Sequence, residues 1–187
     1  LEPLPVEVFT HSSTPPNPWA GYRLCLQRIP DCSHLLIVQD DTAPVPNFVP
    51  ALHKIAERNV DTPVCLFLAS NPRGAMARAR RAMSRDQRYV ALYPSPFVPI
   101  VAVLWPREKA IQFLEWTESG VTLPGHPTPR ADDSVLAAWS KKNREPFIVA
   151  CPSLVEHLDV PSVKGVRNAA SAWKAVFLAE DADQYEW

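Results

Sequence analysis
Two adjacent carboxylates, Asp40 and Asp41, follow the apolar run Leu35–Val38 with only Gln39 between. A short apolar run of this kind fits a strand buried on both faces. In open α/β sheets, ligands bind just outside the carboxyl ends of the strands. Acids in that place can hold a divalent cation and, through it, a phosphate. The same two acids can equally close the strand and open a turn. A second acid pair, Asp132-Asp133, stands at the start of an apolar-periodic segment, where Asp is favoured as a helix cap and by the helix dipole. Six arginines (Arg73, Arg78, Arg80, Arg81, Arg85 and Arg88) fall within sixteen positions, with Asp86 the only acid among them. Such a run can face phosphates or simply form a solvated surface.

The rest of the composition narrows these options. A net charge of -1 over 187 residues gives no global attraction to nucleic acid or to an anionic membrane. The length and the hydrophobic fraction of 47% suffice for a single domain with a real core. No apolar run is long enough to span a bilayer, and the N-terminal residues lack the basic start and apolar core of a signal peptide. Proline is abundant (21 residues) and glycine scarce (5), and no Gly-rich phosphate loop is present. A bound nucleotide would therefore be held by a metal, by basic side chains or by helix N-termini. The four cysteines, Cys25, Cys32, Cys65 and Cys151, include no C-x-x-C pair. That argues against structural zinc and for reduced thiols in an intracellular protein.

The elements that must position the acids follow from periodicity. Val6–Thr10 alternates like a strand. Asn17-Pro18 reads as a helix cap and first position, leading to a stripe of Tyr22, Leu26 and Ile29. Asn47 reads as the cap of a second helix carrying Phe48, Leu52, Ile55 and Ala56, with Pro50 tolerated in its first turn. Val64–Leu68, Tyr89–Tyr93, Pro99–Trp105 and Phe147–Ala150 read as strands. Asn71-Pro72 opens the Arg-rich segment. A helix from Pro106 to about Thr117 turns Ala110, Ile111 and Leu114 inward. Ser119–Pro129 is loop, and Asp132–Lys142 is a helix with Val135, Leu136 and Trp139 on one face. Pro152–Asp159 reads as a short helix or turn, and Ala169–Leu178 as a last helix. Strands alternating with helices predict a single α/β domain with a mixed, mostly parallel sheet flanked by helices.

Three blocks in this order resemble the GT-A class of nucleotide-sugar glycosyltransferases, in particular its small phage and bacterial members. They are Leu35–Asp41, then Ala131-Asp132-Asp133 with the apolar helix ending in Trp139, then Pro152-Ser153-Leu154-Val155-Glu156-His157-Leu158. Val101–Trp116 is similar to the matching strand and helix of such enzymes, and the resemblance spans Val6 to Trp173. It implies a GT-A-like fold over the whole chain and a nucleotide-sugar donor. It implies Mn²⁺ or Mg²⁺ bound by Asp41 with His157 as a further contact, and Asp40 and Gln39 facing the ribose or donor sugar. Thr10 and the neighbouring His11 would lie near the donor. Asp133 would be the base that takes the acceptor's proton in an inverting displacement, and Asp132 would hydrogen-bond the acceptor or order the helix start. The chain departs from the family at Gln39, which stands where an acid is usual and brings no charge. Only Leu1–Pro5 precede Val6, where the family has a further N-terminal strand, so the resemblance implies either a sequence that lacks this strand's residues at its start or a trimmed member.

The leading expectation is a metal-dependent, inverting glycosyltransferase, cytoplasmic in a bacterial or phage-infected cell. Its acceptor would be a glycan or a modified DNA base, with DNA reached through the Arg73–Arg88 segment. The alternative is a non-catalytic sugar- or nucleotide-binding module that keeps the GT-A shape. A nucleotidyltransferase is disfavoured by the missing Gly-rich loop.

Overall fold
The computed structural model describes residues 5–10, 17–69, 73–92, 100–120, 132–158 and 174–187. Its elements are α1 (Pro18–Leu26), β1 (His34–Val38), β2 (Thr42–Pro44), α2 (Phe48–Arg58), β3 (Val64–Cys65), α3 (Arg73–Met83), β4 (Tyr89–Ala91), β5 (Ala102–Pro106), α4 (Arg107–Glu118), α5 (Asp132–Asn143), β6 (Ile148–Ala150) and β7 (Val155–His157). A 3-10 turn at Ala182–Gln184 lies in the last described segment.

The fully apolar strand β5 is buried along its whole length. Its side chains alternate between two cores. Val103 and Trp105 point into one with α1, α3, α4 and α5. Ala102 and Leu104 point into the other with α2, Ala182 and Trp187. Period-two alternation with apolar residues on both faces produces this three-layer arrangement. The five-stranded sheet has the order β1-β5-β3-β6-β4, and a separate two-stranded ribbon joins β2 to β7. The described residues thus form a mixed α/β domain, and no described helix is long and apolar enough to cross a membrane.

The sheet departs from expectation in direction. Only β3 and β6 pair in parallel; β1 with β5, β3 with β5, and β4 with β6 are antiparallel. Hydrophobic period reports which faces are buried, not which way a strand runs, so β–α alternation overstated the parallel pairing. β1 is an edge strand and not the doubly buried one its apolar run suggested. Leu35 and Leu36 are half-buried, and Val38 is 44% exposed.

Helices followed their caps and stripes more closely. Asn17 caps α1, its side-chain oxygen accepting from the Ala20 N–H at 3.3 Å, with Pro18 in the first turn. Ile29 lies beyond the end of α1 but still packs on the core. In α4, Phe113 joins Ala110 as the buried residue, whereas Ile111 and Leu114 are only half-buried. Asn47 precedes α2 in the left-handed region (φ 55°) and makes no capping bond. Its amide instead donates to both carboxylate oxygens of Asp181 at 3.1 Å. Burial pattern alone could not reveal a partner 134 positions away.

Three other expectations fail. Val6–Thr10 is not a strand; Val6 and Val8 are 80% and 83% exposed, and alternation without a neighbouring strand leaves backbone groups unpaired. Pro152–Asp159 contains the strand β7 in place of a helix or turn. Lys174–Leu178 is an irregular run of bends, Phe177 having a φ of 56°, with Ala175 bridged to Ala69 and Leu178 to Ser153, so the described part of the last expected helix is not helical. Asn71-Pro72 lies outside the described residues.

All four cysteines are free thiols. Burial pushes the Cys65 thiol far up and that of Cys151 up to about 12. Both therefore stay protonated at pH 8, and a thiol-specific reagent should modify the more accessible Cys32 first, reaching Cys65 and Cys151 only on unfolding. Phe113 contacts the rings of Trp19, Trp105, Trp116 and Trp139. Phe113→Ala should cost about 3–5 kcal/mol in urea unfolding, with little change in the denaturant slope.

Candidate functional site
The opening acids lie where the sheet gives way to the ribbon. After Val38 the edge pairing continues for one residue, Gln39 N–H donating to Val101 O at 2.9 Å. Asp40 and Asp41 form the turn into β2. β2 then pairs with β7 so that Thr42 stands opposite His157. The Leu158 N–H donates to Asp41 O at 2.7 Å, closing the ladder beside that pair.

This register brings Asp41 and His157 together. His157 Nε2 lies 3.2 Å from Asp41 Oδ2, the two side chains being 23% and 24% exposed. Asp41 Oδ1 is buried and has no hydrogen-bond partner among the described residues. A buried, unpartnered carboxylate oxygen is costly. A cation shared by the carboxylate and the imidazole would relieve that cost, and both groups are competent ligands for Mn²⁺. The pair offers two of the ligand types that a divalent metal takes. Among the described residues no cluster of three or more His, Cys, Asp or Glu could hold one, so the protein would supply part of the coordination and a ligand or water the rest.

The His157 peptide is held from its other side. The ribbon is two-stranded, so the edge of β7 facing away from β2 has no strand partner among the described residues. Glu156 Oε1 accepts from the His157 N–H and from the Ala175 N–H, both at 2.9 Å. Lys174 Nζ donates to His157 O at 3.1 Å. The His157 ring packs near Phe67, with centroids 6.2 Å apart. Sequence reasoning missed Glu156 and Lys174. The Val155-Glu156-His157 alternation was a signal for the first; Lys174 gave none, because its role depends on the chain returning from far along the sequence.

The other expected site residues are dispersed. Asp40 is exposed, Gln39 is half-buried, and neither side chain has a hydrogen-bond partner among the described residues. Thr10 is exposed, and His11 lies outside the described residues. Asp132 is 6% exposed in the first turn of α5, and its Oδ1 accepts from the Asp133 N–H at 3.1 Å. Its charge adds to the burial that raises the Tyr22 hydroxyl well above its usual range. Asp133 is half-buried, and its Oδ1 accepts from the Ser134 N–H at 2.7 Å and the Ser134 hydroxyl at 3.2 Å. These local bonds fit the helix-start role of an acid. Residues 144–147 return the chain from α5 to β6.

Two further features lie apart from this pair. A cleft of about 510 Å³, lined in part by Cys32, Asp61, Arg107 and Lys109, opens at the end of the sheet where β1 begins and β5 ends. On and after α3, Arg78, Arg80, Arg81 and Arg85 are exposed. Arg88 is engaged elsewhere, pairing with Asp86 and stacking over the Tyr185 ring.

Compared with protein families, curated proteins and solved structures, the chain matches none. The site is therefore read from its own chemistry. Asp41→Asn keeps the shape but removes the charge, and it should weaken Mn²⁺ binding at least 10-fold, measured by the electron paramagnetic resonance signal of free Mn²⁺.

Proposed function
We propose that this chain is a metal-dependent glycosyltransferase of the GT-A type, which moves a sugar from a nucleotide-sugar donor to an acceptor hydroxyl with inversion. The observation that carries the reading is the Asp41–His157 pair, joined across the ribbon from two blocks that are 116 positions apart, with one carboxylate oxygen left without a partner among the described residues. Asp41 and His157 would hold Mn²⁺ or Mg²⁺. A cation so held neutralises charge developing on a nucleoside diphosphate leaving group.

The remaining roles belong to the chain's own side chains. Gln39 and the exposed Asp40, at the rim of the same turn, hydrogen-bond the ribose or donor sugar. Asp133 takes the proton from the acceptor hydroxyl, and the buried Asp132 orders the start of α5 beneath it. The exposed arginines on and after α3 are the surface through which a DNA acceptor would be held, and a glycan is the other acceptor class. The reading places the reaction in the cytoplasm of a bacterial or phage-infected cell.

A second reading has its own support. Asp133 is engaged with Ser134, and Gln39 brings no charge to the turn. Those two features suit a non-catalytic module that binds a sugar or nucleotide on the GT-A framework.

Donor turnover separates the two. Incubation with a panel of nucleotide sugars, with and without Mn²⁺, should show metal-dependent binding and slow donor hydrolysis, both lost in Asp41→Ala. Asp133→Asn should leave donor binding intact and lower transfer by about 10²–10⁴-fold, the usual worth of a general base. Metal-dependent binding without turnover by the wild type would select the binding module, and no binding of any donor would overturn both.

A further inference from the structure
Because β7 has a strand on one side only among the described residues, the backbone groups of His157 that face away from β2 take partners from side chains. Thr42 and His157 are directly opposed, while the adjacent ladder bond runs from Leu158 N–H to Asp41 O. His157 therefore occupies a non-hydrogen-bonded position of the ribbon, where opposed side chains approach closely and both peptide groups point outward. The outward N–H is taken by Glu156 Oε1 at 2.9 Å and the outward C=O by Lys174 Nζ at 3.1 Å. Glu156 Oε1 also accepts from the Ala175 N–H, which fastens the irregular segment Lys174–Leu178 to β7. That segment is in turn anchored to the main domain, Val176 N–H donating to Leu68 O at 2.7 Å and Ala179 N–H to Ser153 O at 2.9 Å.

We propose that Glu156 is a positioning residue for His157, its carboxylate, together with the Lys174 ammonium, fixing the peptide from which the imidazole reaches Asp41. This rests on the metal-site reading above, but the orientation of the ring can be tested without metal. Loss of the Glu156 carboxylate leaves two backbone N–H groups without their acceptor and frees one side of the ribbon. The ring then loses its fixed approach to Asp41 Oδ2, 3.2 Å away. Groups that orient a metal-binding histidine typically contribute about 10–100-fold to metal affinity.

The test compares wild type with Glu156→Ala, Glu156→Gln and Lys174→Ala, each first confirmed as folded by circular dichroism. In metal-free protein at fixed pH, the His157 ring protons report ring position through the current of the nearby Phe67 ring. Glu156→Ala should shift these resonances. Glu156→Gln, which retains an oxygen able to accept both N–H bonds, should leave them near wild type, and Lys174→Ala should give a smaller shift. Titrated with Mn²⁺, Glu156→Ala should bind about 10–100-fold more weakly and Glu156→Gln within about 3-fold of wild type. Unchanged ring resonances in Glu156→Ala would overturn the proposal, whatever the metal does. Wild-type affinity for Mn²⁺ in that variant would also overturn it, while leaving the metal site intact. A wild type that does not bind Mn²⁺ would sink the metal-site reading, and the ring resonances alone would then decide the role of Glu156. An unfolded Glu156→Ala would be replaced by Glu156→Met, which keeps the length of the side chain without its acceptor: unchanged ring resonances in it would overturn the proposal, and shifted ones would support it.

Discussion
The burial of β5 is the constraint on which the rest of the molecule depends. Its two faces feed two separate cores, so helices must cover both sides of the sheet. Trp105 shows how tightly one of these cores is specified. Its ring meets Phe113, Trp139 and Phe147, and its indole N–H donates to the Tyr22 hydroxyl at 2.8 Å. A buried tryptophan needs such an acceptor, and a buried tyrosine hydroxyl needs a partner as well. One bond meets both needs and ties α1 to the central strand. On the opposite face the fully buried Trp187 does similar work, its N–H donating to Ala182 O at 2.8 Å.

The candidate site borrows this rigidity at one remove. β1 lies against β5 at the edge of the sheet, and the chain leaves that edge to form Asp40, Asp41 and the ribbon. The sheet therefore fixes where the turn begins, and the ribbon register fixes which histidine meets the acid. A one-residue slip of β7 against β2 would place the imidazole on the other face. Ribbon register thus has direct chemical meaning here. It is stabilised from within the domain by Val45 N–H donating to Leu154 O and Leu154 N–H to Leu66 O, at 3.0 and 2.8 Å.

What could be read from the sequence follows from the range of each interaction. The Asn17-Pro18 start, the α2 stripe and the inward face of α5 are local patterns, and the structure reproduces them. Asp41 drew notice as an acid after an apolar run and His157 through the resemblance of its block, but that the two side chains meet is visible only in the structure. Strand direction, the edge position of β1 and the strand character of Val155–His157 were not, because each is decided by what the chain does elsewhere. Asn47 shows the same limit at the level of one side chain: its sequence context suits a cap, but Asp181 offers a better, charged partner. Asp181 is in turn held below the usual carboxylate range by the Asp183 N–H and the Asn47 amide. Lys174 gave no local signal for a related reason, and the alternation around Glu156 did not disclose its role, since both depend on the edge of β7 that no described strand covers.

The shortness of that ribbon has a thermodynamic consequence. β2 and β7 are three residues each, and a two-stranded element of that size has little stability of its own. It is drawn from the low end of the local-opening free energies within a fold, well below the global value set by the doubly covered sheet. Any ligand that bridges Asp41 and His157 must then contribute part of its binding free energy to closing this element. Conversely, whatever quiets the Lys174–Leu178 strap lowers that conformational cost in advance. Affinity at the pair and order in the strap are thus two readings of one equilibrium.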